Sequence, residues 1–131
     1  MLATPPFLHN VSVPNLYDLL SPREERSKKF FVGRREFDPV KVGYVTEPVE
    51  GSKSGFWMKA NTKDAKDGDL NIGHEFRGPV STNPSAPRPL GVIGPALSHD
   101  ERMEIIEYLK IHRDLPSTEN RKPIDCFALL K

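Results

Sequence analysis

The chain has 131 residues, 37% hydrophobic and 28% charged, which suits one small domain with a modest core and excludes a wholly disordered chain. Its net charge of +1 gives no electrostatic case for nucleic acid or for an anionic membrane surface. The single cysteine, Cys126, excludes an intrachain disulfide and a thiolate metal cluster, and thirteen prolines with nine glycines predict long loops and short elements.

Residues 1–13 read as an extended, proline-bent segment in which Met1, Leu2, Phe7 and Leu8 are apolar enough to be buried. They hold no basic start followed by a long apolar run, so no signal peptide is expected within the chain, and no segment is long enough to span a bilayer. Residues 14–20 (PNLYDLL) predict a short helix with Pro14 at its first position and Leu16, Leu19 and Leu20 on one face. The Ser21-Pro22-Arg23-Glu24 string repeats a helix-start signal and predicts a further helical turn over residues 22–26.

Residues 29–32 (KFFV) predict a strand stopped by Gly33, residues 40–45 a second strand, and Asp38-Pro39 a turn between them. Phe56, Trp57 and Met58 form an apolar island. Residues 59–71 and 79–90 read as loops, the first polar and the second proline-rich. The clearest element is a helix capped by Ser98, with Glu101 at the reciprocal capping position. Met103, Ile105, Ile106 and Leu109 give it an apolar face; acids sit in its first turn and bases near its last, and Pro116 bars its continuation. Residues 117–131 form a polar tail ending in an apolar stretch that starts at Cys126.

Four segments, taken in order, carry a family resemblance. They are ATPPFLHN with SVPNLYDLL (residues 3–10 and 12–20), FVGRREFDPVKVGY (31–44), NIGHEF (71–76), and GVIGPAL (91–97) with Glu101, Arg102 and IIEYLK (105–110). Together they resemble the C-terminal region of large bacterial di-haem cytochromes c, a group related to bacterial cytochrome c peroxidases and to the di-haem rubber oxygenases. The resemblance implies a single partial cytochrome c-like domain over residues 1–131, mostly α with long loops and a few short strands. In such proteins the haem-attachment motifs lie upstream, and the matching region closes over the second haem.

The implied cofactor is therefore haem c, although the CxxCH string that attaches it is absent from this chain. The implied partners are an upstream haem-bearing portion and a redox protein, in the periplasm, with electron transfer or peroxidase-like chemistry belonging to the longer protein. The alternative is a truncated remnant or interaction module that works without haem. One departure stands out: the family reads His-Asn-Gly-Ser-Val-Pro, and Val11 occupies the glycine position. If that position has positive φ, a β-branched residue there costs roughly 1–3 kcal/mol.

His9, His74 and Met58 are the residues expected to meet the cofactor, with His9 and His74 as metal ligands. A neutral imidazole serves as an iron ligand or as a distal acid–base group, and a methionine thioether as an axial ligand. Each also has a plainer reading. His9 suits a turn histidine bonded to nearby backbone, His74 a loop or strand residue beside Glu75, and Met58 core filler beside Trp57. His99 and His112, at the two ends of the last helix, suit capping or surface roles. The oxygen-rich loop of Asp64, Asp67, Asp69 and Asn71 lacks EF-hand spacing and reads as a solvated turn. No GxSxG string or glycine-rich phosphate loop is present.

Overall fold

The structure, a computed structural model, describes residues 5–48, 50–51, 54–63, 68–78, 83, 86–87 and 89–113. In chain order its elements are α1 (Leu16–Leu20), β1 (Lys29–Val32), β2 (Phe37–Asp38), β3 (Gly43–Tyr44), β4 (Phe56–Lys59), β5 (Glu75–Phe76), β6 (Val92–Gly94) and α2 (His99–Arg113). The strands form three two-stranded sheets. β1 pairs antiparallel with β4, from Lys29 opposite Lys59 to Val32 opposite Phe56; β2 pairs antiparallel with β3; β5 pairs parallel with β6.

The expected mostly α arrangement is therefore overturned: the described residues hold two helices beside these three short strand pairs. The physical reason lies in the sequence's own punctuation. A helix needs a run of periodic apolar residues free of proline and glycine, and residues 99–113 alone supply a long one.

Local chemistry also moves several boundaries. Asn15, not a residue before Pro14, caps α1: its side chain accepts a hydrogen bond from the Asp18 N–H at 2.8 Å, and Pro14 stays outside the helix. The helical turn expected over residues 22–26 is instead a tight turn closed by the Glu25 N–H on the Pro22 carbonyl at 3.0 Å. Ser21 ends α1, donating its hydroxyl to the Tyr17 carbonyl. The strand expected over residues 40–45 shrinks to β3. Asp38 accepts from the backbone of Val40 and Lys41, which turns the chain and delays pairing until Gly43.

β1 forms as expected, and the apolar island of residues 56–58 becomes β4. The last helix keeps its reciprocal cap: the Glu101 N–H reaches Ser98 Oγ at 3.2 Å, and the Ser98 N–H reaches Glu101 Oε2 at 2.7 Å. Most of the 79–90 loop, residues 64–67, Met1, Leu2 and residues 114–131 lie outside the described residues.

The core gathers where α1 meets α2. Phe7, Val13, Leu16, Leu20 and Ile106 are buried together, and Leu97, Met103, Ile105 and Leu109 pack against them. Met103 is thus a packing residue, as its place on the apolar helix face implied. Ile106 is fully buried, a burial worth roughly 2–3 kcal/mol.

Candidate functional site

The segment holding His9 is a closed loop. The Phe7 N–H donates to the Val13 carbonyl at 2.6 Å and the Val13 N–H returns to Phe7 at 3.3 Å, so residues 8–12 bulge between the two bonds. Within the bulge Leu8 and Val11 both take left-handed backbone, at φ of 64° and 54°. Val11 therefore sits in the conformation that glycine favours, and its side chain gains little from burial to offset the strain, being 47% exposed. His9 lies between these two residues with its imidazole exposed.

Asn10 anchors the bulge. Its amide nitrogen donates to the carbonyls of Gly68 at 2.6 Å and Leu70 at 2.9 Å, and its carbonyl oxygen accepts from the Ser12 hydroxyl at 2.6 Å. The His9 loop is thereby docked on the segment that leads into His74.

That segment is gripped from the other side by Arg26, which is 2% exposed. Its guanidinium donates to the carbonyls of Asp18, Leu19 and Ser21 around the end of α1, and to those of Asn71, Gly73 and His74. A planar fork with five N–H groups suits this task, because the last carbonyls of a helix lack partners and the 71–74 loop has no ladder. Burial pulls the Arg26 pKa below its ordinary value, and the charges of Glu75 and Asp18 oppose that shift. Asn71, wholly buried, donates a hydrogen bond from its side-chain amide to the Ser27 carbonyl at 3.0 Å and is a structural residue rather than part of a solvated turn.

Beyond the clamp the chain turns at His74, whose φ is 44°. Its side chain is exposed, whereas Glu75, the first residue of β5, is buried and accepts from the Arg23 N–H at 2.9 Å. The two neighbouring side chains thus differ in exposure, Glu75 inward and His74 outward. Met58 is half-buried on β4, opposite Phe30 of β1.

A second buried cation joins the helices. Arg102 lies 5.3 Å over the Tyr17 ring and donates to Ser21 Oγ at 3.0 Å and Glu25 Oε2 at 2.6 Å. Desolvation lowers its pKa, but the hydrogen bond and charge of Glu25, aided by Tyr17, outweigh that and leave it raised. His99 meets the Tyr17 hydroxyl at 2.9 Å through Nδ1, a surface role at the first turn of α2.

The structure therefore brings the His9 and His74 loops onto one shared segment, with three non-glycine residues of left-handed backbone, Leu8, Val11 and His74, within them. It does not bring the rings together with each other or with Met58 by any hydrogen bond or ring contact among the described residues. Among those residues no group of three or more His, Cys, Asp or Glu side chains gathers to hold a metal. Two thiols followed by a histidine are also missing, so the residues present do not fit a complete c-type haem site within this chain. Arg26 and Arg102, which organise the region, were not legible beforehand: each sits in a charged run, and nothing there sets Arg26 apart from Arg23.

The profile of the RoxA-like, cytochrome c-like family matches residues 1–31, the stretch that contains the His9 loop, α1 and Arg26. That match supports a cytochrome c-like region there. The chain is also 52% identical over 108 residues to the uncharacterized protein y4iJ of Sinorhizobium fredii (strain NBRC 101917 / NGR234), covering 82% of this chain and 16% of that protein. It is 37% identical over 110 residues to the uncharacterized protein y4iM of the same strain, covering 82% of this chain and 24% of that one. The chain thus spans less than a quarter of the length of either relative. No solved structure matches it. No helix of the described residues is long and apolar enough to cross a membrane.

Proposed function

We propose that this chain is the haem-covering C-terminal portion of a c-type cytochrome-like redox protein, and that His9 and His74 are its contributions to the haem surroundings. One observation carries the reading: the family match over residues 1–31 falls on the loop that exposes His9 between two strained residues and docks on the His74 segment. Strained non-glycine backbone concentrates where a side chain must be presented in one orientation. Met58, on the separate β1–β4 sheet, is the weaker third candidate. The haem itself belongs to the longer protein, as do the redox partner, the periplasmic location and any peroxidase-like chemistry.

The test is a longer gene product that includes the coding region upstream, expressed with the c-type maturation machinery. An upstream CxxCH and a Soret band that shifts on His9→Ala or His74→Ala are the expected results. A longer product without CxxCH that takes up no haem overturns the reading.

A second reading, an interaction module or remnant that works without haem, is favoured by Val11, which retains strain where the family has glycine. It expects a sharp cooperative melt of the 131-residue chain with no haem present and no change on adding haem. A haem-dependent rise in melting temperature, abolished by His9→Ala, counts against it.

A further inference from the structure

A cleft of about 470 Å³ opens on the face that carries β1 and β3. Pro6, Pro14, Phe30, Phe31 and Tyr44 line it, together with Arg35. None of His9, His74 or Met58 lines it.

The walls are held by backbone. The Tyr44 N–H donates to the Pro14 carbonyl, the Phe31 N–H to the Thr46 carbonyl at 2.9 Å, and the Val45 N–H to the Glu36 carbonyl at 3.1 Å. On one side Gly43 lies so close to Pro14 and Asn15 that a Cβ there would fall 2.4 Å from the Pro14 oxygen. On the other, a Cβ on Gly55 would fall 2.3 Å from the Phe31 ring. The cleft is therefore already formed, which favours binding because little has to be ordered.

Its charge is specific. Arg34 also lines the cleft but is engaged: its Nε meets Glu36 at 3.1 Å, and Nη1 reaches the Glu47 carbonyl. Arg35 is exposed: its backbone N–H meets the Glu36 carboxylate, but among the described residues its guanidinium has no acid or hydrogen-bond partner. A preformed, largely apolar cleft lined by a guanidinium with no acid partner among the described residues complements a ligand with an apolar body and one anionic end. The guanidinium fork matches a carboxylate in two parallel hydrogen bonds.

We propose that this cleft is a binding site for an apolar monocarboxylate, whose body lies against Phe30, Phe31 and Tyr44 and whose carboxylate pairs with Arg35. The site needs no haem, so it stands or falls apart from the redox reading.

Trp57 supplies the readout. It is the sole tryptophan, and its ring meets Phe31 edge-on at 5.7 Å, so occupancy of the cleft moves its emission. Decanoate below its micelle concentration is titrated into the 131-residue chain, with decan-1-ol as the uncharged control and calorimetry for stoichiometry. The expected result is saturable one-to-one binding of decanoate, with decan-1-ol bound about tenfold more weakly. Arg35→Gln abolishes that difference, Arg35→Lys restores part of it, and Tyr44→Ser weakens both ligands. All three leave the circular dichroism unchanged, because Arg35 and Tyr44 are exposed and Tyr44 pairs through its backbone. Non-saturable decanoate binding, equal affinity for decan-1-ol, or an Arg35→Gln variant that binds as the native chain does would overturn the proposal.

Discussion

Val11 and Arg26 show how differently single residues act in this molecule. Val11 holds left-handed backbone that a β-branched side chain disfavours by roughly 1–3 kcal/mol. Its peptide N–H still closes the turn on Leu8 at 3.2 Å, so the strain is sustained by the loop around it. Val11→Gly is expected to raise the stability of the chain by about 1 kcal/mol, the strain relieved being partly offset by the greater freedom of glycine in the unfolded chain. Urea unfolding checks it, and a destabilised variant would mean that the partly exposed valine packs better than its surface suggests.

Arg26 works in the opposite sense. Its donors serve six carbonyls, and truncation removes that partner from all of them, although the Asp18 carbonyl keeps a second donor, the Ser21 N–H. Arg26→Met is expected to cost about 3 kcal/mol or more, and Arg26→Lys to recover little of it, since an ammonium cannot span both the α1 end and the 71–74 loop. Hydrogen exchange of residues 71–75 reports the loss locally. If Arg26→Lys melts as the native chain does, the clamp is not what holds that loop.

Among the elements, α2 draws on both local chemistry and packing. Its reciprocal cap satisfies two backbone donors that would otherwise lack partners, and Ser98→Ala is expected to cost about 1 kcal/mol. The backbone and side-chain hydrogen bonds of Ser98 hold the Glu101 pKa below its ordinary value of 4.5, against a small opposing effect of desolvation. A carboxyl with a depressed folded pKa contributes stability that is present above the unfolded value and is lost as pH falls through the folded one. Helicity at 222 nm is thus expected to decline as the solution is acidified below about pH 4.5, and Glu101→Gln to flatten that decline while preserving the neutral-pH cap. An unaltered acid profile in Glu101→Gln would assign the effect to other carboxylates.

The strand pairs behave differently. β1 and β4 each run for four residues and, among the described residues, pair as a two-stranded sheet. Phe56 and Trp57, adjacent on β4 and so directed to opposite faces, are 61% and 49% exposed. Phe31 and the Lys29 ammonium, 5.1 Å over the indole, shield Trp57 only in part.

For the whole molecule, that exposure is part of a pattern. Leu90 and Ile111 stand out beside Phe56 as large side chains with little cover. Scattered apolar exposure is ordinary in small domains, but aromatic residues open on both faces of a two-stranded sheet favour association. Concentration-dependent self-association in sedimentation velocity is the expected outcome for the 131-residue chain, and Phe56→Ser is expected to reduce it without lowering the melting temperature. A strictly monomeric native chain would show that this surface is benign.

The last helix was legible in full at its start, since a cap, a helical apolar period and dipole-matched charges all act within a few residues of one another. β1 and the Asp38 turn were legible for the same reason. A mostly helical fold was not a sound expectation, because it followed a resemblance to cytochrome c domains, whereas prolines and glycines had already cut every other segment too short for a long helix. The strained Val11 could be anticipated from a glycine pattern. The place of His9 and His74 could not: Asn10 reaches across to Leu70, and Arg26 to His74, over separations of 60 and 48 residues. Local chemistry therefore determined the α2 cap and the Asp38 turn from sequence alone, while the α1 cap passed to Asn15 and residues 22–26 closed as a tight turn instead of a helical one. Which arginine is buried, which loops share a surface, and which arginine lines an apolar cleft were decided only by the tertiary structure, because burial and pairing depend on what the distant chain brings alongside.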